Sequence, residues 1–351
     1  MRRMIAAAVV ALPLVALGAH PAGACGGLVG ENGTIQLQRT TTLAAYTGGV
    51  ERYVTAFEFT GEGKEVGSIV PLPDIPTTVT RAGDWTLQRL EREVAPPERN
   101  VRVAADAAGA EASSAKVVLQ TQIDALDITV LTGGGDAVGK WATDHGFLLT
   151  PDAPEVLDYY AKRSPVFMTA RFNAERAKAL GQTTGQSTPI MATIPTDNPW
   201  VPIHILGLGA KPDENIQADV FLLTDRQPQL MAGGTGMTLD RSEAASDLLL
   251  SDLRSDKNMA WVPQHMWLSY LKLDAPGREL DYDLAVSAKP NVPPSLVDAG
   301  VSRPHAVPLL TPASGHALWP VWLGVAAGAA VLTVGWRRTR PGSGGRMAGA
   351  A

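Results

Sequence analysis

The sequence predicts an α+β fold with largely antiparallel sheets and a few packed helices, followed by one C-terminal transmembrane helix. Short runs rich in Thr, Val, Ile, Tyr and Phe are separated by Gly, Pro, Asn and Asp, which is typical of strands joined by turns. Fewer segments repeat apolar residues at helical spacing. No repeat of fixed period is visible, so a solenoid or propeller is not expected.

A β-hairpin is expected at the start of the folded part. Segments 34–46 and 52–60 have strand composition, and Thr47-Gly48-Gly49 separates them. A third strand is expected at 66–70. It ends at Pro71, the first of three prolines within six residues, which remove ladder donors.

A helix is expected next, over residues 85–94. Asp84 occupies the position of an N-cap, Leu87 and Leu90 repeat at helical spacing, and Pro96 ends the pattern. Segment 104–115 then consists of Ala, Gly, Ser and two acids without a large side chain. This composition indicates a loop or a break between subdomains.

The remaining elements alternate in the same style. Helices are expected at 137–144, 154–162 and 242–253. Strands are expected at 117–122, 127–131, 166–172, 190–194, 201–206, 217–224, 266–273 and 280–287.

The N-terminus has the pattern of a secretory signal peptide over residues 1–24. Arg2 and Arg3 precede an apolar run, and Ala22-Gly23-Ala24 resembles a cleavage site. Cleavage would make Cys25 the first residue of an extracytoplasmic domain, 25–289. An uncleaved anchor and lipidation of Cys25 remain alternatives.

The C-terminus predicts a membrane anchor. Residues 290–316 contain six prolines, which favours an extended stalk. The uncharged run 317–336 is long enough to span a bilayer, and the basic tail 337–351 follows it. The expected localisation is therefore the cell membrane, single-pass, with the N-terminal body outside the cytoplasm and the C-terminus cytoplasmic.

The charge of the expected extracytoplasmic domain limits the classes of partner it can bind, and its cysteine content limits the disulfides it can form. All 35 acidic residues lie between positions 25 and 316, whereas six arginines lie outside that segment. The body is therefore acidic, and a nucleic-acid partner is not expected. Cys25 is the only cysteine, so no intramolecular disulfide is expected.

One segment imitates a phosphate-binding loop. Residues 134–140 fit the spacing G-x-x-x-x-G-K, but Trp141 stands where a magnesium-binding Ser or Thr is required. The pattern therefore favours a glycine-rich turn before a helix, with Trp141 packed in the core. No cofactor is expected.

Metal and hydrolase motifs are absent, so no catalytic, cofactor-binding or metal residue is assigned. Asp281 and Asp283 would share a strand face, and solvated surface is the favoured interpretation of both. Aromatic residues in 261–270, beside His265, are either core or a sugar- or peptide-binding platform. The histidines of the body are scattered: His145, His204, His265, His305 and His316.

Several short motifs together resemble a known family, the bacterial domain-of-unknown-function family numbered 2330, frequent in actinobacteria. The resemblance covers 25–289. It implies a signal-bearing, membrane-anchored extracytoplasmic protein and carries over no catalytic residue. The motifs are Cys25-Gly26-Gly27, Ile69-Val70-Pro71-Leu72-Pro73, Trp141 with His145-Gly146-Phe147, Pro154, Tyr159 and Val166-Phe167.

The function expected from the sequence is that of a non-enzymatic binding or envelope-associated module, with an envelope protein or a glycan as partner. Two alternatives stay open. One is an exported hydrolase whose site is assembled from scattered His, Asp and Ser residues. The other is an accessory subunit of a membrane complex, packing through small residues of segment 317–336.

Overall fold

β-Strands are the most abundant regular structure in the described chain. The computed structural model describes residues 27–30, 36–37, 40–56, 59–60, 65–95, 116–182, 187–287, 289, 291–301 and 310. The strands are β1 Gly27–Gly30, β2 Gln36–Leu37, β3 Thr40–Thr47, β4 Val50–Thr55, β5 Phe59–Thr60, β6 Glu65–Pro71, β7 Thr78–Arg81, β8 Lys116–Ile123, β9 Leu126–Thr132, β10 Val166–Asn173, β11 Ile190–Pro195, β12 Trp200–Val201, β13 Asn215–Thr224, β14 Gln229–Ala232, β15 Met237–Ala244, β16 Trp267–Pro276 and β17 Leu284–Ser287.

The helices are few and short. The α-helices are α1 Thr86–Val94, α2 Gly135–Asp144, α3 Ala153–Ala161, α4 Ala174–Ala179 and α5 Asp247–Ser255, and 3₁₀ turns span His204–Gly207 and Gly277–Glu279.

Two large sheets form the centre of the described chain. One has seven strands in the order β15-β16-β13-β3-β4-β11-β7, and the other has five in the order β1-β6-β10-β9-β8. All neighbours in the seven-stranded sheet are antiparallel except β3 and β13, which run parallel. A three-stranded sheet, β12-β17-β14, and the pair β2-β5 complete the pairing.

The sheets pack face to face, with helices outside both. Alternate residues of one strand therefore enter different cores: Tyr53 lies in the core between the sheets, whereas Val54 packs with α1 and α5. In the other sheet Val130 faces inward, whereas Leu131 packs with α2 and α3. The order of layers is helices, seven-stranded sheet, five-stranded sheet, helices.

The hairpin expected from the sequence is confirmed as β3 and β4. Gly48 and Gly49 form its turn, with φ of 58° and 76°. Two successive positive φ angles are the requirement of a two-residue turn whose twist matches the strands. The sequence signal succeeded here because the conformational demand is local.

Helix α1 begins differently from the expectation. The Asp84 carboxylate pairs with Arg81 rather than capping the helix. Asp256, at the end of α5, instead accepts hydrogen bonds from the backbone N–H of Asp84 and Trp85, both 3.0 Å, and from Thr86 Oγ1 at 2.7 Å. The cap therefore comes from a residue 170 positions away in the chain.

Several other expected elements differ. The segment 242–253 is not one helix, because 242–244 complete β15 and the helix α5 begins at Asp247. In the segment 201–206 only Val201 belongs to a strand, and 204–206 belong to a 3₁₀ turn. Strands β7 and β14 and helix α4 were not expected, because each is too short to produce a periodic signal.

The expected α+β class is therefore wrong, since the structure is mostly β. Seventeen strands and five α-helices occupy the described residues. The short helices cover the outer faces of two stacked sheets and contain far fewer residues than the sheets do. The sequence pattern misled because most of the added strands are short, and because the end of the eight-residue strand β15 was taken for the start of a helix.

The expected single-pass membrane localisation is contradicted, because no helix among the described residues is long and apolar enough to cross a bilayer. The signal peptide 1–24, Cys25, the loop 104–115, the span 317–336 and the tail 337–351 lie outside the described residues. Of the expected stalk, residues 291–301 and 310 are described. They pack on the body, with Ala299 fully buried.

Candidate binding cleft

A cleft of about 560 Å³ opens at one end of the sandwich. Five parts of the chain line it: Tyr46 at the end of β3, residues 73–74 after β6, residues 162–163 after α3, the β11–β12 connection 196–200, and the segment 286–298. Its volume is in the range of sites that hold small molecules or short segments of a larger ligand.

Asp283 organises the wall of the cleft from behind. Its side chain is fully buried, yet it is charge-paired with Arg163, which lines the cleft. Its Oδ1 accepts hydrogen bonds from Tyr160 Oη and the Ile203 N–H, both at 2.7 Å, and from the His204 N–H at 3.2 Å. A buried carboxylate needs such complete pairing to offset its desolvation.

The tyrosines of this cluster remain protonated. Burial, followed by the charge of Asp283, raises the pKa of Tyr160 well above its ordinary value. The pKa of Tyr159 is raised for the same two reasons, in the same order. Burial lowers the pKa of Arg163, but Asp283, Tyr159 and Tyr160 together raise it by more, so the net shift is upward. At neutral pH the cluster is therefore an ion pair between Asp283 and Arg163 that is flanked by two protonated tyrosines.

Arg163 also joins two walls of the cleft. Its guanidinium lies over the Trp200 ring, 4.6 Å from the ring centroid, and its Nη2 donates to the Asp298 carbonyl oxygen at 2.6 Å. Nearby, the Asp283 N–H donates to the Ala299 carbonyl at 3.0 Å. Gly300 follows at φ +74°, where a Cβ would overlap the Tyr159 hydroxyl. The segment 291–301 is therefore held as part of the cleft.

Tyr46 forms the other end of the cleft. Its hydroxyl donates to the Thr196 carbonyl oxygen at 3.0 Å, which holds the phenol against the β11–β12 connection. Burial raises the pKa of Tyr46, and the carboxyl groups of Asp197, Glu51 and Asp225 raise it further. This end of the cleft is therefore electrically negative.

Glu51 is the most unusual group near the cleft. It is directly opposite Tyr46 in the β3–β4 pair and is fully buried, and neither carboxyl oxygen has a hydrogen-bond partner. Burial raises its pKa to about 8. The Trp200 backbone N–H faces the carboxyl and partly opposes this shift without forming a hydrogen bond of ordinary geometry. Glu51 is therefore uncharged at neutral pH.

Among the described residues, which include His145, His204 and His265, no group of three or more potential metal ligands occurs. His145 donates from Nδ1–H to the Trp141 carbonyl oxygen at 2.7 Å, and His305 and His316 lie outside the described residues. His204 does approach Asp283, but through its backbone N–H, and its buried Nδ1 has no hydrogen-bond partner. Burial lowers the pKa of His204.

The expectation of a solvated surface holds for only one of the two paired aspartates. Asp281 is exposed, whereas Asp283 is fully buried, and neither lies within β17. Their spacing predicted a shared strand face. Strand β17 instead begins at Leu284, one residue after Asp283. The hydrogen-bond partners of Asp283 are Tyr160 of α3 and the backbone N–H groups of Ile203 and His204, at the start of the 3₁₀ turn.

The phosphate-loop imitation is a helix start, as the sequence indicated. Trp141 and Val138 are buried against the five-stranded sheet, whereas the Lys140 amine is exposed and pairs with Asp144. In the aromatic cluster, Tyr270 is buried and hydrogen-bonded to Asp219 at 2.6 Å. Trp261 is half-buried beneath Arg52, 4.6 Å from its ring centroid. Core packing accounts for most of that cluster.

Sequence reasoning assigned no role in a cleft to Tyr46 and Arg163, which line it, or to Glu51 and Asp283, which lie behind its wall. One signal was present, because Glu51 stands at an inward position of a strand whose next inward residue is Tyr53. A charged residue on the apolar face of a strand is rare enough to be noted. The other three carry no local signal.

The fold and the cleft define a β-sandwich protein, flanked by helices, with an open ligand-sized cleft at one end. The chain belongs to the bacterial family described as an uncharacterized protein conserved in bacteria (DUF2330), whose family model matches residues 19–229. The resemblance seen in the sequence is thereby confirmed. Tyr46, Arg163 and Trp200 fall within the matched residues, whereas the wall 286–298 lies beyond them.

No curated protein matches this chain. Among solved structures, it is similar to the crystal structure of baculovirus P35, with 9% identity and a TM-score of 0.34, over 73% of this chain and 94% of that one. A mutated baculovirus P35 after caspase cleavage gives 8% identity and a TM-score of 0.30, over 71% and 94% of the two chains. These values carry no conclusion about function.

Proposed function

We propose that this protein is a binding module that holds a segment of another polypeptide, without covalent chemistry, in the cleft between Tyr46 and Arg163. The observation that carries the proposal is the composition of the cleft lining. Val292 and Val297 line it and are 51% and 76% exposed, beside the exposed side chains of Asp197 and Asn198. Apolar, charged and amide groups in one open cleft suit a polypeptide, which presents all three.

Other ligand classes fit this lining less well. A glycan site would need an exposed aromatic platform, but Trp200 is only 6% exposed. A nucleic acid would meet three carboxylates and three basic side chains along the lining, two of the basic groups already ion-paired, in a chain with a formal net charge of −5. A lipid tail would need an enclosed apolar cavity, whereas this cleft is open and contains six charged side chains.

The ionisable groups nearest the cleft also favour binding over hydrolysis. A hydrolase would use a His whose ring is oriented by a carboxylate and faces a nucleophile. The carboxylate oxygens of Asp283 instead pair with Arg163 and accept hydrogen bonds from Tyr160 and backbone N–H groups. The His204 ring makes no hydrogen bond to a described residue.

The proposal is tested by selecting peptides from a random hexapeptide display library on the full-length chain and measuring their affinity by fluorescence anisotropy. Asn198→Trp places a large ring in the cleft at an exposed position. Leu248→Trp is the matched control, because it adds the same ring at a 68% exposed site on α5.

Selected peptides should bind the wild type and Leu248→Trp equally and Asn198→Trp at least about tenfold more weakly, because a filled cleft excludes them. Mass spectrometry should recover the bound peptide intact. Failure to select any peptide, equal binding by Asn198→Trp, or cleavage of the peptide would each overturn the proposal.

A further inference from the structure

Negative charge collects at the Tyr46 end of the cleft without a matching cation. The carboxylates of Asp197 and Asp225 both act on the Tyr46 phenol. Glu51 lies nearby as well, but it is uncharged at neutral pH. Asp225 is held by the Thr47 hydroxyl and the Gly48 N–H, which are neutral donors. Among the described residues, none of these three acids forms an ion pair with a lysine or arginine. An incoming cation would therefore meet no competitor already in place.

The buried carboxyl of Glu51 is a second, independent sign. A fully buried carboxyl with two unpartnered oxygens is costly to keep, and it lies across the strand pair from Tyr46. Nothing in the packing of β4 requires it, since the neighbouring inward position holds Tyr53, an aromatic core residue. Glu51 does not line the cleft itself, but buried carboxyl groups of this kind are concentrated at functional sites.

Two of the three basic side chains of the cleft already have partners. Arg163 is paired with Asp283, and Lys162 is paired with Asp158 at 2.5 Å. Lys289 lines the cleft as well and is unpaired, and it forms no ion pair with Asp197 or with another described acid. The negative charge beside Tyr46 is therefore left without an ion-pair partner among the described residues.

Tyr46 itself provides a suitable surface for a cation. Its hydroxyl is engaged with Thr196, so the ring is held in one orientation at the wall of the cleft. An aromatic ring beside carboxylates attracts an ammonium or guanidinium through its face. Asp197, exposed and adjacent to Thr196, can then accept charge-assisted hydrogen bonds from the same group.

We infer that the Tyr46 end of the cleft is a pocket for the lysine or arginine side chain of the bound polypeptide, with Tyr46 against the cation and Asp197 as its hydrogen-bond acceptor. This inference rests on the proposed function. It names the chemical class of ligand: a polypeptide segment that carries a basic residue, rather than an acidic or wholly apolar one.

The test uses the selected hexapeptides and three synthetic versions of each, with the basic residue kept, replaced by norleucine, or replaced by glutamate. Binding to the full-length chain is compared with binding to Asp197→Asn. Asp136→Asn is the charge-matched control, because Asp136 is exposed on α2 and does not line the cleft.

The selected peptides should be enriched in Lys or Arg at one position. Norleucine there should weaken binding to the wild type and Asp136→Asn about tenfold, but to Asp197→Asn only about twofold. Glutamate should abolish binding. Two results would refute this inference while the proposed function stands, provided that Asn198→Trp shows that the peptides bind in the cleft. One is that the selected peptides show no preference for a basic residue. The other is that norleucine weakens binding to Asp197→Asn by the same factor as binding to the wild type. If no peptide binds, both fail.

Discussion

The fully buried carboxylate of Asp283 lies 2.7 Å from the hydroxyl of Tyr160, although 123 positions separate the two residues in the chain. Tyr160 belongs to α3 on the outer face of the five-stranded sheet, and Asp283 precedes β17 of the three-stranded sheet. The bond therefore ties two parts of the fold together directly behind the cleft, and it brings Arg163 of the cleft wall into the same network.

Asp283→Asn should strongly destabilise the protein. The amide would leave the Arg163 charge, 17% exposed, without its partner, and the expected loss in free energy of unfolding is about 3–5 kcal/mol. Urea unfolding followed by tryptophan fluorescence measures the loss. Asp281→Asn is the control and should change stability by less than about 0.5 kcal/mol, because Asp281 is exposed. Equal effects of the two variants would refute the proposed importance of the network.

Glu51→Gln should stabilise the protein at alkaline pH. The carboxyl keeps its proton in the folded state up to a pKa of about 8, whereas in the unfolded chain it ionises near its ordinary 4.5. The unfolded state therefore loses its proton first, and stability falls as pH rises from about 4.5 to 8 and then levels off. Glu51→Gln removes this pH dependence, so it should raise the free energy of unfolding by about 2–5 kcal/mol at pH 8 and by little at pH 4.

Thermal unfolding of Glu51→Gln and wild type between pH 4 and pH 9 measures this difference. Glu175→Gln is the control, since Glu175 is exposed on α4 and should leave the pH profile unchanged. A stability gain for Glu51→Gln that is the same at pH 4 and pH 8 would mean that the carboxyl is not titrating in this range.

Asp256→Ala should cost more stability than Asp84→Ala, although Asp84 has the sequence position of the cap. Asp256 satisfies two backbone N–H groups and the Thr86 hydroxyl at the start of α1 and is 5% exposed. The expected loss is about 1–3 kcal/mol for Asp256→Ala and under about 1 kcal/mol for Asp84→Ala. Guanidinium unfolding of both variants makes the comparison. The reverse ranking would restore Asp84 as the cap.

Trp141→Ala should lower the free energy of unfolding by about 3–5 kcal/mol, because Trp141 is 1% exposed in the core beneath α2. Lys140→Ala should cost little, since its amine is 67% exposed and its pair with Asp144 lies at the surface. Calorimetry with and without ATP and magnesium measures both effects. A stabilisation by nucleotide that disappears in Lys140→Ala would show that segment 134–140 is a true phosphate loop after all.

Elements that depend on neighbouring residues were predicted well. Gly48 and Gly49 located the β3–β4 turn, and the apolar spacing of Val138 and Trp141 located the buried face of α2. The fold class was not predicted, because short strands such as β7 and β14 produce no periodic signal of their own. They are strands only because β11 and β17 offer them a backbone ladder to complete.

The cleft shows the same division more sharply. The sequence shows which residue types are present, but their spacing does not indicate that Arg163 contacts Asp283. Nor does it indicate that Tyr46 and Asp197 line the same cleft. The free energy that buries Asp283 and Glu51 comes from stacking two sheets, and that stacking exists only when distant strands have paired. The sequence by itself determined family membership, the local turns and the amphipathic helices. The tertiary structure alone decided which charged groups are buried, which are paired, and which face the cleft, because burial and Coulomb energies depend on distances that chain order does not set.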